Sequence, residues 1–215
     1  MGKIFTIGDI HGCISYLEDL FAKLKIDPEK DRIVFIGDYV DRGPDIKGVV
    51  EFILELKQTY QVICLIGNHE RLLLDYYDYG HNKELWFANG GTSTVVSYGI
   101  ETTRKGKRID IPEAHLKFFR SLLPYYETDD YIFVHAGLKP GVPLQDQELI
   151  DLVWIRDDFI HSQYDFGKKI VFGHTPRLSG PYIDDYKIGI DTGAVYGGKL
   201  TCLELPEIKF YQVPE

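Results

Sequence analysis

The feature that most limits the folds open to this chain is a recurring break, in which a short apolar run stops abruptly at a glycine-led polar cluster. Ile4-Phe5-Thr6-Ile7 runs into Gly8-Asp9-Ile10-His11-Gly12, and Ile33-Val34-Phe35-Ile36 into Gly37-Asp38-Tyr39-Val40-Asp41-Arg42-Gly43. Val62-Ile63-Cys64-Leu65-Ile66 runs into Gly67-Asn68-His69-Glu70. The second half repeats the habit: Tyr131-Ile132-Phe133-Val134 precedes His135-Ala136-Gly137, and Ile170-Val171-Phe172 precedes Gly173-His174-Thr175. Runs this short, rich in β-branched and aromatic residues, read as buried strands.

Helical patterns fill the intervals. Leu17, Leu20, Phe21 and Leu24 recur at helical spacing after Ser15, an expected N-cap. Val49, Ile53 and Leu56 make a second apolar face, and Leu116, Phe119 and Leu123 a third. From Tyr186 onward three strand-like runs lie close together, at 188–190, 200–205 and 208–213. This order predicts an α/β fold with βαβ units first, then a sheet finished by antiparallel strands. No Pro/Ser-rich linker, low-complexity tract or repeat divides the 215 residues, so a single domain over 1–215 is expected.

In open α/β sheets, ligands bind just beyond the carboxyl ends of the strands. Five strands here each deliver polar residues at that end, so one pocket can collect Asp9, His11, Asp38, Asp41, Asn68, His69, His135 and His174. Carboxylate oxygen, amide oxygen and imidazole nitrogen together suit manganese, iron, zinc or magnesium better than a sulfur-bound site. Four of the seven histidines fall in these clusters, and His81, His115 and His161 are expected to have no role.

The net charge of −9 argues against a nucleic-acid coat or an anionic membrane surface as partner, since both would repel it. Cys13, Cys64 and Cys202 are too few and too scattered for a disulfide framework, and fit a reducing cytosol as small core residues. No apolar run approaches the roughly 18 residues that span a bilayer, and a leader is hard to fit before Gly8, so a cytoplasmic protein is expected. The basic cluster Arg104, Lys105, Lys107 and Arg108 reads as a solvated turn. Tyr76, Tyr77, Tyr79, Trp86 and Phe87 read as packing for the insert after His69 and Glu70.

The ordered motifs GDIHG, GDYVDRG, GNHE, HAG and GHT, followed by IDTGAVYGGKLT at 190–201, resemble the calcineurin-like metallophosphoesterases. Within that superfamily they resemble the phosphoprotein phosphatase branch and its compact bacterial and phage members. The resemblance implies a β-sandwich of mixed sheets flanked by helices, in αββα layers. It implies two divalent metal ions, with manganese expected. Asp9, His11 and Asp38 would hold the first ion, and Asp38 would bridge to the second, completed by Asn68, His135 and His174. A hydroxide held by the ions would attack phosphorus in line, and His69, oriented by Asp41, would protonate the leaving group. Arg42 would bind phosphate oxygens, with Arg156 in Trp154-Ile155-Arg156-Asp157 as the second arginine. Two divalent ions bring about +4 against about −2 from two aspartates, so the site attracts phosphate despite an acidic chain.

Three functions follow from the resemblance. Asp41 and Glu70 favour a Ser/Thr-type protein phosphatase acting on a phosphorylated protein or small phosphoester. The alternative is a symmetrical dinucleoside polyphosphate (diadenosine tetraphosphate) hydrolase, a branch that commonly has Ala and Asp at those two positions. Ile66 departs from the protein phosphatase pattern, in which Arg often precedes GNHE. The third is a non-catalytic metal-binding scaffold, disfavoured by the complete set with His69 and Arg42. Thr175 and Pro176 after His174 argue against the phosphodiesterase branches, which usually place a second histidine there.

Overall fold

A computed structural model describes residues 2–103 and 106–215; the basic cluster from Arg104 to Arg108 lies outside the described side chains. The chain runs β1 (Ile4–Ile7), α1 (Ile14–Lys23), β2 (Arg32–Phe35), α2 (Ile46–Thr59) and β3 (Gln61–Cys64). An insert follows: α3 (Asn68–Tyr79), α4 (Lys83–Ala88), α5 (Gly91–Tyr98) and the hairpin β4 (Ile100–Thr103) and β5 (Gly106–Ile109). Then come α6 (Glu113–Arg120), β6 (Tyr125–Glu127), β7 (Tyr131–Val134), α7 (Leu149–Trp154), α8 (Asp157–Ile160) and β8 (Lys169–Phe172). The remaining strands are β9 (Tyr182–Ile183), β10 (Lys187–Gly189), β11 (Leu200–Leu205) and β12 (Lys209–Val213).

Two five-stranded mixed sheets result, ordered β12-β11-β1-β2-β3 and β6-β7-β8-β10-β9. In the first, β1, β2 and β3 are parallel and β11 returns antiparallel against β1, with Ile4 opposite Leu205. In the second, β7, β8 and β10 are parallel. The layers can be read from alternation along each strand. Ile33 and Phe35 of β2 join α1, α2 and α6 in one core, whereas Val34 and Ile36 meet Phe133, Val171 and Ile188 between the sheets. Ile132 and Val134 of β7 face the other way, onto Leu152, Val153 and Phe159 from α7 and α8. Helices thus cover both outer faces, which is the expected αββα order. Strands buried on both faces lack polar alternation, which is why the sequence shows them as unbroken apolar runs. Truncating a side chain such as Phe133, which is fully buried between the sheets, to Ala would cost about 3–5 kcal/mol.

Three local expectations are corrected. Ser15 lies inside α1; Cys13 is the N-cap and makes no side-chain cap bond. Leu123 falls beyond α6, bridging Leu65 in extended form, because the chain must turn back toward the sheet there. The run near 188 does not close the first sheet: β10 lies parallel to β8 in the second, where Ile188 is buried against Val171 and Phe133. Cys13, Cys64 and Cys202 are free and buried, as read from the sequence.

Candidate active site and metal centre

Every strand that ends in a motif ends at the same edge, so the loops after β1, β2, β3, β7 and β8 interlock. Asp38 O accepts the N–H of His11 at 2.8 Å, and His135 O accepts that of Gly173 at 2.8 Å. Asp9 accepts the N–H of His174 at 3.0 Å through one oxygen and 3.2 Å through the other. The close approach needs glycine: a Cβ at Gly173 would run into the Asp9 carboxylate, and one at Gly67 into that of Asp38. His11, Asp38, Asp41, Arg42 and His174 all take positive φ, between 46° and 68°, a region costly for any side chain. Such strain persists only where the surroundings enforce it, and it collects at functional sites.

The imidazoles are aimed by the backbone. His11 Nδ1 bonds Val40 O at 2.8 Å and His135 Nδ1 bonds Ile36 O at 2.9 Å. With the proton on Nδ1, each ring presents its Nε2 lone pair to the site. Asp38 Oδ2 lies 3.4 Å from His11 Nε2, 3.5 Å from His135 Nε2 and 3.9 Å from His69 Nε2. Ligand atoms sharing an ion at ~2.1 Å are themselves about 3–3.5 Å apart, so this oxygen and the two histidine nitrogens nearest it are spaced as residues that would hold divalent ions. Two ligand groups, His11 with Asp38 and His69, and Asp38 with His135 and His174, meet at that carboxylate. Asn68 Oδ1 sits 3.0 Å from His135 Nε2. Among the described residues the buried His174 Nε2 meets no hydrogen-bond partner, which leaves its lone pair open to a cation. These residues fit a dinuclear divalent centre.

Protonation states agree. Burial pushes the His11 pKa down to about 3 and, with the neighbouring His135, that of His174 to about 2, so both rings are neutral at working pH. Burial works against an ionised Asp38, while positive charge on the imidazoles of His135 and His69 beside it draws its carboxyl below the ordinary range. Asp9 goes the other way, raised by burial and by the charges of Asp191 and Asp38. A divalent ion would draw the proton off that carboxyl.

His69 differs from the other three. Its Nδ1 lies 2.7 Å from Asp41 Oδ2, and its buried Nε2 has no partner among the described residues. Burial pulls its pKa down, yet the Asp38 charge and the Asp41 hydrogen bond carry it above its ordinary value. A histidine kept protonatable beside the ligands can give a proton to a departing oxygen. Arg42 Nη1 donates to His11 Nε2 at 2.6 Å, and its guanidinium stacks over Tyr196 at 5.4 Å. Arg156 is exposed at the start of α8, its charge felt by His135 and His174.

Four supporting roles are not legible in the sequence. Trp86 Nε1 donates to both oxygens of Asp41, and Thr94 Oγ1 donates to Oδ1, so the insert is more than packing. A buried indole N–H needs an acceptor, and that was the available signal. Glu70 is wholly buried and accepts four backbone N–H groups, from Gly67, Asp38, Tyr39 and Val40, at 2.8–3.1 Å. It pins the Asp38 loop to the start of α3. Burial and the Asp38 charge push its carboxyl up to about 8, against the pull of those donors. Trp154 meets the His174 ring edge-on at 5.7 Å.

The calcineurin-like phosphoesterase family model matches residues 2–198. This chain belongs to the calcineurin-like phosphoesterases. It is therefore a metal-dependent phosphoesterase, and the family implies a dinuclear divalent centre. A Bacillus cereus relative named bis(5'-nucleosyl)-tetraphosphatase PrpE, asymmetrical, is 31% identical, over 99% of this chain and 94% of its own. A Bacillus mycoides relative of the same name is 32% identical at the same coverage. A crystal structure provisionally assigned as a diadenosine tetraphosphatase superposes with TM-score 0.79 at 24% identity, covering 99% of this chain and 93% of that one. A Saccharomyces cerevisiae protein serine/threonine phosphatase superposes at 0.65 and 16% identity, covering 98% and 79%, a likeness of fold alone.

These relatives overturn the expected Ser/Thr protein phosphatase. The expectation that Asp41 and Glu70 separate that activity from dinucleotide hydrolysis fails with it. In this phosphoesterase Asp41 holds His69 and Glu70 pins backbone, so both describe the catalytic frame and neither reports what lies beyond the phosphate. Among the described residues no helix is long and apolar enough to cross a membrane.

Proposed function

We propose that the chain hydrolyses bis(5′-nucleosyl) tetraphosphates, splitting the phosphate bridge unequally. The substrate class is that named for relatives matching nearly the full length at 31% identity. The chemistry rests on one observation, the three imidazole Nε2 atoms gathered within 3.9 Å of Asp38 Oδ2.

Asp9, His11 and Asp38 would hold one ion, and Asp38, Asn68, His135 and His174 the other. Manganese is the proposed metal, with iron, zinc or magnesium compatible with the same donors. When bound, the ions supply positive charge that polarises a phosphoryl oxygen and acidifies water. Arg42 exchanges His11 for the phosphate oxygens, which its planar guanidinium meets in pairs. Arg156 supplies a second positive charge at the rim. A water oxygen joins phosphorus and gives up a proton to solvent, the bond from phosphorus to the bridging oxygen breaks, and that oxygen leaves on the other fragment. His69 delivers a proton to it from Nε2, while Asp41 fixes the ring's tautomer and direction. We place this activity in a single domain and, given three buried thiols, in the cytoplasm.

The test is to incubate the full chain with manganese and diadenosine tetraphosphate and separate the products by anion exchange. Adenosine mono- and triphosphate are expected. Adenosine diphosphate alone would mean equal cleavage, and no turnover by a preparation that cleaves p-nitrophenyl phosphate would remove the dinucleotide reading.

A further inference from the structure

Beside the metal centre runs a groove of about 340 Å³ between α3–α4 and α7. Its walls are apolar, formed largely by Leu85, Ile150 and Trp154, and Arg71, Asp75 and Asn82 mark its polar rim. The rim is ordered: Asp75 accepts Arg71 Nε at 3.1 Å and Asn82 Nδ2 at 3.2 Å. Leu85 and Ile150 are 48% and 57% exposed and face one another across the groove with Trp154, so their apolar surface is open to a ligand. Trp154 belongs to both regions, since it lines the groove and its ring packs edge-on against His174. One side chain therefore separates the groove from a residue placed to hold an ion.

The geometry points to this groove as the subsite for one nucleoside of the substrate, with its base between Trp154, Ile150 and Leu85 and its polar edge toward Asp75 and Asn82. The inference rests on the dinucleotide reading above. The volume falls in the range of small-ligand sites, about 300–1,000 Å³. An aromatic wall with aliphatic neighbours suits a flat heterocycle, which gains from stacking on an indole. The groove's position also bears on the products. Unequal cleavage of a four-phosphate bridge breaks a bond at a terminal phosphate, which is esterified to a ribose. A nucleoside then hangs directly from a phosphate at the metal centre. In equal cleavage each nucleoside is one phosphate further out, and a pocket touching His174 would be too near.

The experiment compares KM for diadenosine tetraphosphate and for p-nitrophenyl phosphate in manganese-loaded wild type, Leu85→Asp and Ile150→Asp. Val96→Asp, on a residue 76% exposed and outside the groove, controls for added charge. Adenosine monophosphate and ribose 5-phosphate are compared as inhibitors of p-nitrophenyl phosphate turnover. The ratio of dinucleotide KM to aryl phosphate KM is expected to rise about 5- to 100-fold in either groove variant and not in the control, as loss of base stacking predicts. Adenosine monophosphate should lose its advantage over ribose 5-phosphate in the same variants. Unchanged ratios in an enzyme that cleaves the dinucleotide would overturn the subsite and leave the proposed function standing. Equal losses on both substrates would also overturn it, as damage to the metal centre. A wild type that cleaves only the aryl phosphate would overturn both readings.

Discussion

Trp86 Nε1 lies 3.0 Å from Asp41 Oδ2 and 3.1 Å from Oδ1, so the insert helix α4 grips the carboxylate that orients His69. Trp86→Phe would keep the ring stack on Tyr76, 4.9 Å away, and delete only the donor. We expect kcat for an alkyl phosphate such as glycerol phosphate to fall about tenfold, because its alkoxide depends most on the acid. Loss on p-nitrophenyl phosphate should be smaller, and equal losses would mean that the insert does not act through His69.

Glu70→Gln tests the clamp on the Asp38 loop. A glutamine must turn an NH2 toward backbone N–H groups that one carboxylate now accepts. Leaving buried donors unpaired costs about 1–3 kcal/mol, visible in chemical denaturation. Manganese affinity should fall as well, read by calorimetric titration; wild-type affinity with lowered stability would restrict Glu70 to folding.

Removing divalent ions should abolish turnover and lower the melting temperature together, since a ligand bound only by the folded state stabilises it by ~2.7 kcal/mol at 100 times its Kd. In Asp38→Asn the same addition of manganese should give little shift, because the oxygen common to both ligand groups has lost its charge. A full shift in that variant would argue against a shared bridge.

The pair Lys3–Glu204 gives a pH test away from the site. The Lys3 ammonium and the Tyr211 hydroxyl hold the Glu204 carboxyl below its ordinary value of 4.5. A depressed carboxyl favours the folded state when ionised. Its contribution is complete above that ordinary value and is lost as pH falls through it toward the lowered one. The melting temperature of wild type should therefore drop more steeply than that of Glu204→Gln between about pH 5 and pH 3. Parallel curves would refute the coupling.

The strand ends were legible because strands buried on both faces leave plain apolar runs, and because tight turns there demand glycine. His11, Asp38, His69, His135 and His174 meet in two groups of nearby donor atoms, with Asn68 beside His135 and Asp9 beside the His174 backbone. What sequence could not supply was contact across layers. Nothing in the order of residues tells that Thr94 reaches Asp41, 53 positions away, or that the strand near 188 pairs with β8. The protein phosphatase reading failed for a related reason. The motifs encode the reaction centre, whereas the surfaces proposed to choose the substrate, such as the α7 groove, have no motif.

The placement of β1 has a consequence for biosynthesis. Asp9 and His11 follow a strand whose two edges are closed by β2 and by β11, and Gly8 is held by the carbonyl of Thr201 at 3.0 Å. On the ribosome, the earliest ligands made must wait with one open edge until residues 200–205 emerge. A chain released before that point would carry every one of the proposed donors, from Asp9 to His174, without the strand that closes the second edge of β1.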